Sequence, residues 1–329
     1  EKDALVNLIP LFDNQDQYSL DGIIEEAREI LSRGDESTMY AIAPNFRMLL
    51  HFYVGEEYGA NGENDIVSYL KWYNDYMIEN SIWGLGKMER LEKALYANMG
   101  FFYDEDTIEV SFMSEEFKEL MDAYKECFQN QKVAPEVPQQ VRRELDLKPL
   151  AVAYGPFWMA TYAYGDLADP DIMMEGIPGV DGKNQIIMIL DYPMGILNTS
   201  ECKEEAFDFM MYYNTLDAFL RINETEGEYK KGAATTGRFS VYESLLNELI
   251  FETTKCYTLT KDGEMFFTPE QKEQLWKLIH NSVPDTKTQR DIYAMCLEEM
   301  SAYWNGDKDF ESACEILENR VILYLEENK

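Results

Sequence analysis

The sequence predicts an α/β protein, on three observations. Short apolar runs of strand length alternate with longer stretches of helical periodicity. The 329 residues are enough for two domains or one large one. The 46% hydrophobic content supplies a real core, and 13% aromatic residues set the chain apart from disordered acidic segments.

The elements follow in chain order. Leu5 to Phe12 is a short apolar segment. Ile23, Ile24, Ala27, Ile30 and Leu31 then recur at helical spacing, with Gly34 placed to stop the helix. Met39 to Ala43 is apolar and closed by Pro44, which suits a strand. Asn45 to Tyr58 is aromatic-rich and ambiguous. Ile66 to Ile78 reads as a helix with Tyr69, Leu70, Tyr73 and Met77 on one face, and Lys87 to Met99 as another. Ile108 to Phe112 alternates as a strand. Ser114 is a good N-cap for a helix to Phe128, and acidic residues fill its first turn.

Val133 to Pro138 is a proline-punctuated loop, and Val141 to Leu147 reads as helical. Leu150 to Tyr154 is a buried strand meeting Gly155-Pro156. A turn cluster, Ile177 to Gly182, leads into a buried strand from Ile186 to Leu190. Met194 to Leu197 reads as the next strand, and Thr199 or Ser200 caps a helix to Asn214. Polar loops cover Asn223 to Gly237 and Thr258 to Thr268. Helices then span Pro269 to His280, Thr286 to Tyr303 and Phe310 to Glu326.

Composition excludes several classes. With 62 acidic against 29 basic residues the net charge is −33, so there is no basic excess for nucleic acid or for an anionic membrane surface. The most apolar run ends at Asp191, far short of the roughly 20 residues a bilayer span needs. No initiator Met or signal peptide stands at Glu1, so the chain reads as processed or truncated. Cys127, Cys202, Cys256, Cys296 and Cys314 contain no C-x-x-C spacing, which argues for isolated thiols over a disulfide framework or a zinc site.

Chemistry-bearing patterns are scarce. His51 and His280 are the two histidines, too few for most His-based metal or nucleophilic sites. His280 reads as a helix C-terminal residue meeting the dipole, and His51 as a core or edge residue. There is no P-loop, no G-x-G-x-x-G after a strand, no H-E-x-x-H and no G-x-S-x-G. Asp166, Asp169 and Asp171 match a calcium loop poorly, with Pro170 between them. Carboxylate pairs such as Glu204-Glu205 and Glu298-Glu299 read as solvated helix faces, although a glycosidase dyad is not removed by counting. No metal and no cofactor is expected.

One region is more specific. Leu150 to Trp158 reads strand, Gly155-Pro156 turn, then Phe157 and Trp158. Gly176 to Gly182, Tyr192 to Ile196 and the helix from Lys203 to Met210 follow in order. This order resembles the extracellular solute-binding proteins of ABC importers, the sugar-type family 1 that includes maltose-binding protein. Met39 to Pro44, Ile108 to Phe128, and Met300 to Val321 resemble further family segments, so nearly the whole chain is covered. The family's opening strand-helix-strand-helix stretch is missing before Ala4 to Leu8.

The resemblance implies a two-lobe periplasmic-binding-protein-like fold of class II type, with crossover hinge strands. Residues 1–43 would begin lobe 1, 44–191 form lobe 2, 192–283 return to lobe 1, and 284–329 add helices to lobe 2. It further implies no enzymatic activity. The expected function is binding a small solute, a sugar favoured, in an interlobe cleft that closes by hinge motion, with delivery to a membrane permease. Phe157 matches the family's tryptophan position, with Trp158 the alternative, since an aromatic face stacks on a sugar ring. Trp83, Asn45, Phe46, Arg47, Tyr192 and Arg238 are the other expected ligand contacts, each weighed against an ordinary packing or surface role. Trp72, Trp276 and Trp304 sit at helical core spacing and are set aside. The family implies a monomer, extracellular or periplasmic, lipid-anchored by a cysteine upstream of Glu1. Two alternatives stay open: a carbohydrate-active hydrolase using paired carboxylates, and a sensor or adhesion module without a permease.

Overall fold

The structure is a computed structural model. It describes residues 4–14, 18–32, 35–54, 65–79, 88–133, 153–156, 172–174, 176–215, 217–218, 239–248 and 269–328. In chain order the elements are α1 (Ile9–Asp13), α2 (Glu25–Ser32), β1 (Asn45–Val54), α3 (Ile66–Glu79), α4 (Met88–Asn98), β2 (Tyr103–Asp104), β3 (Glu109–Val110) and α5 (Glu115–Val133). They continue with β4 (Ala153–Pro156), β5 (Ile172–Met174), β6 (Ile177–Pro178), β7 (Asn184–Asp191), α6 (Lys203–Tyr212), β8 (Phe239–Ser240) and α7 (Glu243–Asn247). The last are α8 (Pro269–His280), β9 (Ser282–Pro284), α9 (Lys287–Asn305) and α10 (Phe310–Asn328). Val141 to Leu147, the Asp166 to Asp171 segment and the two long polar loops fall outside the described residues.

The chain forms two compact units. The first holds residues 1–52, 153–174 and 187–284, and the second 53–152, 175–186 and 285–329. Within the first unit, residues 45–49 pair with residues 187–191.

In the first unit β1 is the hub. It pairs antiparallel with β7 (Asn45↔Asp191 to Leu49↔Ile187), with β4 (Leu49↔Pro156 to Phe52↔Ala153) and with β8 (Asn45↔Ser240, Phe46↔Phe239). β5 also joins β1, and β9 joins β7. Phe46 and Met48 alternate into the core, which is the period-two burial a strand imposes. The core continues through Leu8, Phe12, Ala27, Ile42 and Met211, and Phe12 meets Phe207 edge-on at 4.9 Å.

Two expected strands are reduced to single bridges. Met39 to Ala43 contributes Ile42↔Met194, and Met194 to Leu197 adds Leu197↔Leu5. Pro44 and Pro193 each lack an N–H, which interrupts ladder formation on both sides. The continuous strand is the ambiguous stretch from Asn45. β4 likewise runs through Gly155 and Pro156 rather than ending before them. Neither Thr199 nor Ser200 caps α6: Cys202 holds the N-cap position without a side-chain bond, and Ser200 Oγ accepts from the Cys202 N–H in the preceding turn.

The second unit is mostly helical. α3 packs on α5, and α9 packs on α10, α5 and α4. Ser114 Oγ accepts from Phe117 N–H at 3.2 Å, so the expected N-cap is present, although α5 runs on to Val133. Phe117 meets Phe102 and Phe112 edge-on at 4.8 and 5.1 Å, and Trp304 lies 4.6 Å from Tyr124. The strand expected over Ile108 to Phe112 shrinks to β3, after Ile108 adopts φ 59° in the β2–β3 turn. Asn98, fully buried, donates to the Ala94 and Pro178 carbonyls and accepts from Val180 N–H, fixing α4 against the turn after β6. Cys127, Cys296 and Cys314 are buried free thiols, Cys202 is exposed, and Cys256 is outside the described residues.

Candidate functional site

Four of the expected ligand contacts lie in the described residues, and all four sit where β1 meets the end of β7. Trp83, Phe157, Trp158 and Arg238 fall outside the described residues. Alternation along β1 splits the rest into two sets. Phe46 points into the core, fully enclosed, with its ring 5.6 Å from Phe239. It is a packing residue in this structure, because it shares the covered face of β1 with Met48. Asn45 and Arg47 occupy the other face and are half-buried.

Register then brings in a residue that sequence reasoning passed over. Asn45 is directly opposite Asp191, and Arg47 is opposite Ile189, so Arg47 and Asp191 are diagonal neighbours on one face. Arg47 Nε donates to Asp191 Oδ1 at 2.8 Å. The pair is asymmetric: the Asp191 side chain is 9% exposed and that of Arg47 40%. Asp191 had a sequence signal, since it is the carboxylate that ends an apolar strand, but its partner is 144 residues away.

Tyr192 follows at once, 65% exposed, with φ 54°. A left-handed conformation costs a bulky L-residue roughly 1–2 kcal/mol and places its side chain off the line of the strand. Pro193 fixes the next backbone angle, so the chain turns sharply there. Asn45, Arg47, Asp191 and Tyr192 thus form a polar, partly accessible corner with one ordered cation and one aromatic ring. Such groups bind by hydrogen bonding and ring stacking.

His280 lies elsewhere in the first unit. It closes α8, as expected for a residue at a helix C-terminus, stacks on Trp276 at 5.5 Å and has Nδ1 2.8 Å from Glu26 Oε1. Trp304 is buried, whereas Trp72 and Trp276 are half-buried. Among the described residues no group of three or more His, Cys, Asp or Glu side chains is placed to hold a metal ion. No helix among them is long and apolar enough to cross a membrane.

By sequence, no family model matches the chain and no curated protein is significantly similar to it. Solved structures, in contrast, share its fold. The sugar-binding protein MalE from Xanthomonas citri superposes with a TM-score of 0.64 at 14% identity, over 99% of this chain and 80% of its own. The ABC substrate-binding protein Lmo0181 from Listeria monocytogenes, in complex with cycloalternan, gives 0.60 at 15% identity, over 99% and 81%. An ABC transporter solute-binding protein from Agrobacterium vitis, with bound D-mannitol, gives 0.59 at 13%, over 99% and 82%. The fold is therefore the α/β fold of the ABC-importer solute-binding proteins. These neighbours are binding proteins.

Proposed function

We propose that the chain binds a small solute, a carbohydrate in preference to other classes, and hands it to the membrane permease of an ABC importer. The observation that carries this reading is the fold likeness over 98–99% of the chain to proteins described with cycloalternan, D-mannitol and α-D-tagatose. The two compact units serve as the two lobes. Asn45, Arg47 and Tyr192 contact the ligand, with Phe157 or Trp158 stacking on it and Trp83 and Arg238 contributing; Phe46 supports them from the core. The protein acts as a binder and not as a hydrolase, outside the cytoplasmic membrane and tethered by lipid. The aromatic and hydrogen-bonding character of the corner supports this assignment, as sugars present both an apolar ring face and hydroxyls.

A thermal-shift panel of neutral mono- and oligosaccharides, amino acids, short peptides and polyamines tests it. A true ligand at about 100 times its Kd adds about 2.7 kcal/mol of stability. The expected result is a shift with one sugar class, reduced in Trp158→Ala or Phe157→Ala, and recovery of the sugar intact. A shift confined to peptides or polyamines overturns the carbohydrate assignment. Cleaved glycoside overturns the non-enzymatic one.

A further inference from the structure

We infer that Asp191 makes this site selective for uncharged sugars over acidic ones, by neutralising Arg47 while leaving its outer donors to the ligand; the inference rests on the carbohydrate reading above. Arginine carries five N–H donors and no acceptor. In the first unit one of them, on Nε, is committed to Asp191 Oδ1 at 2.8 Å. The contact leaves the two terminal nitrogens outside the pair, on a side chain that is 40% exposed. The carboxylate is the enclosed partner, at 9%. A ligand reaching this corner therefore meets the guanidinium, and Asp191 acts on it as a positioning residue.

The charge arithmetic sets the class of ligand. An unpaired guanidinium is a preferred partner for carboxylate, sulfate or phosphate, which it grips with two parallel bonds. Here Asp191, a carboxylate in direct contact, offsets the positive charge. An acidic group brought to the terminal nitrogens gains little net attraction and feels the like charge of Asp191 behind them. Hydroxyl oxygens accept from the same N–H groups without that opposition. The overall charge of −33 works in the same direction, although salt screens the distant part of it. Asn45, directly opposite Asp191, adds an uncharged amide to the corner.

Calorimetric titration of the full chain with matched pairs tests this: galactose with galacturonate, glucose with glucuronate, and maltotriose and xylotriose with trigalacturonate. The wild type is expected to prefer the neutral sugars. Asp191→Asn, which keeps size and removes charge, is expected to shift the neutral-to-acid affinity ratio by about tenfold toward the acid. Arg47→Gln is expected to weaken binding of both. Equal weakening of both classes in Asp191→Asn gives Asp191 a purely structural role and overturns the inference. A wild type that prefers uronates overturns it while leaving the carbohydrate reading intact, and a wild type that binds no sugar removes both. Should Asp191→Asn fail to fold, the wild type alone decides: added salt is expected to improve uronate binding relative to neutral sugar, and no change overturns the inference.

Discussion

Gly195 sits where two backbones pass closely. A Cβ there would lie 2.7 Å from the Tyr40 carbonyl oxygen and 3.5 Å from Leu5. The nearer atom is main chain and cannot swing away. Gly195→Ala is expected to destabilise the protein by about 1–3 kcal/mol, seen as a lower urea midpoint with an unchanged slope. Asn98→Ala leaves the Val180 N–H and the Pro178 carbonyl without their buried side-chain partner, and about 1–3 kcal/mol is expected in the same assay. At this scale the sequence is a partial guide. Arg47 and Tyr192 are singled out only by resemblance to a family. Asp191 carries a signal as the carboxylate that ends an apolar strand, but its pairing with Arg47 exists only once β1 and β7 are in register.

Helices were the most legible elements because both their ends and their faces carry marks. For α9, Thr286 Oγ1 accepts from Gln289 N–H at 3.0 Å at one end. Gly306, at φ 82°, turns the chain at the other, where Asp307 N–H reaches the Ala302 carbonyl. Thr286→Ala is expected to cost about 1 kcal/mol, and thermal melts of the variant check it. Strands were less legible. β2, β3, β6 and β8 are two residues each, too short for alternation to register. In the stretch from Met39 to Val54, pattern favoured the apolar run before Pro44, but pairing selected the residues after it. Partners on either side of β1, supplied by β7, β4 and β8, decide the matter, and they lie more than 100 residues downstream.

The molecule as a whole answers to pH through its buried tyrosines and its capped carboxylates. Burial pushes the Tyr96, Tyr103 and Tyr124 hydroxyls well above the usual tyrosine range. The Tyr96 bond to Asp285 and the charges of Glu105 near Tyr103 and Glu92 near Tyr124 push the same way. The folded state thus favours the neutral phenol. An unfolded tyrosine ionises near about pH 10, so this stabilisation is complete below that value and is lost as pH rises beyond it. At the acid end, backbone N–H bonds from Thr107 and Asp106 lower Asp104, and one from Ser312 lowers Asp309. Their contribution is present above about pH 4 and disappears as pH falls below it. Denaturation followed across pH, with tyrosinate absorbance as second signal, is expected to show a group of tyrosines that ionise only together with alkaline unfolding. Smooth ionisation of every tyrosine in the folded protein would contradict this.

The way the chain threads its units has a consequence for synthesis. The second unit draws α3, α4 and α5 from early in the chain and α9 and α10 from late in it. Tyr96 needs Asp285 for its hydroxyl and Gln289 for its carbonyl, and Tyr103 also donates to Gln289. At the ordinary pace of a ribosome, residues that follow α5 by some 150 positions emerge about 8–30 s later. Through that interval the nascent chain carries α3 to α5 with the seat of α9 uncovered. Until α9 emerges, its seat on α4 and α5 is open to wrong partners, the kind of surface that chaperones shield.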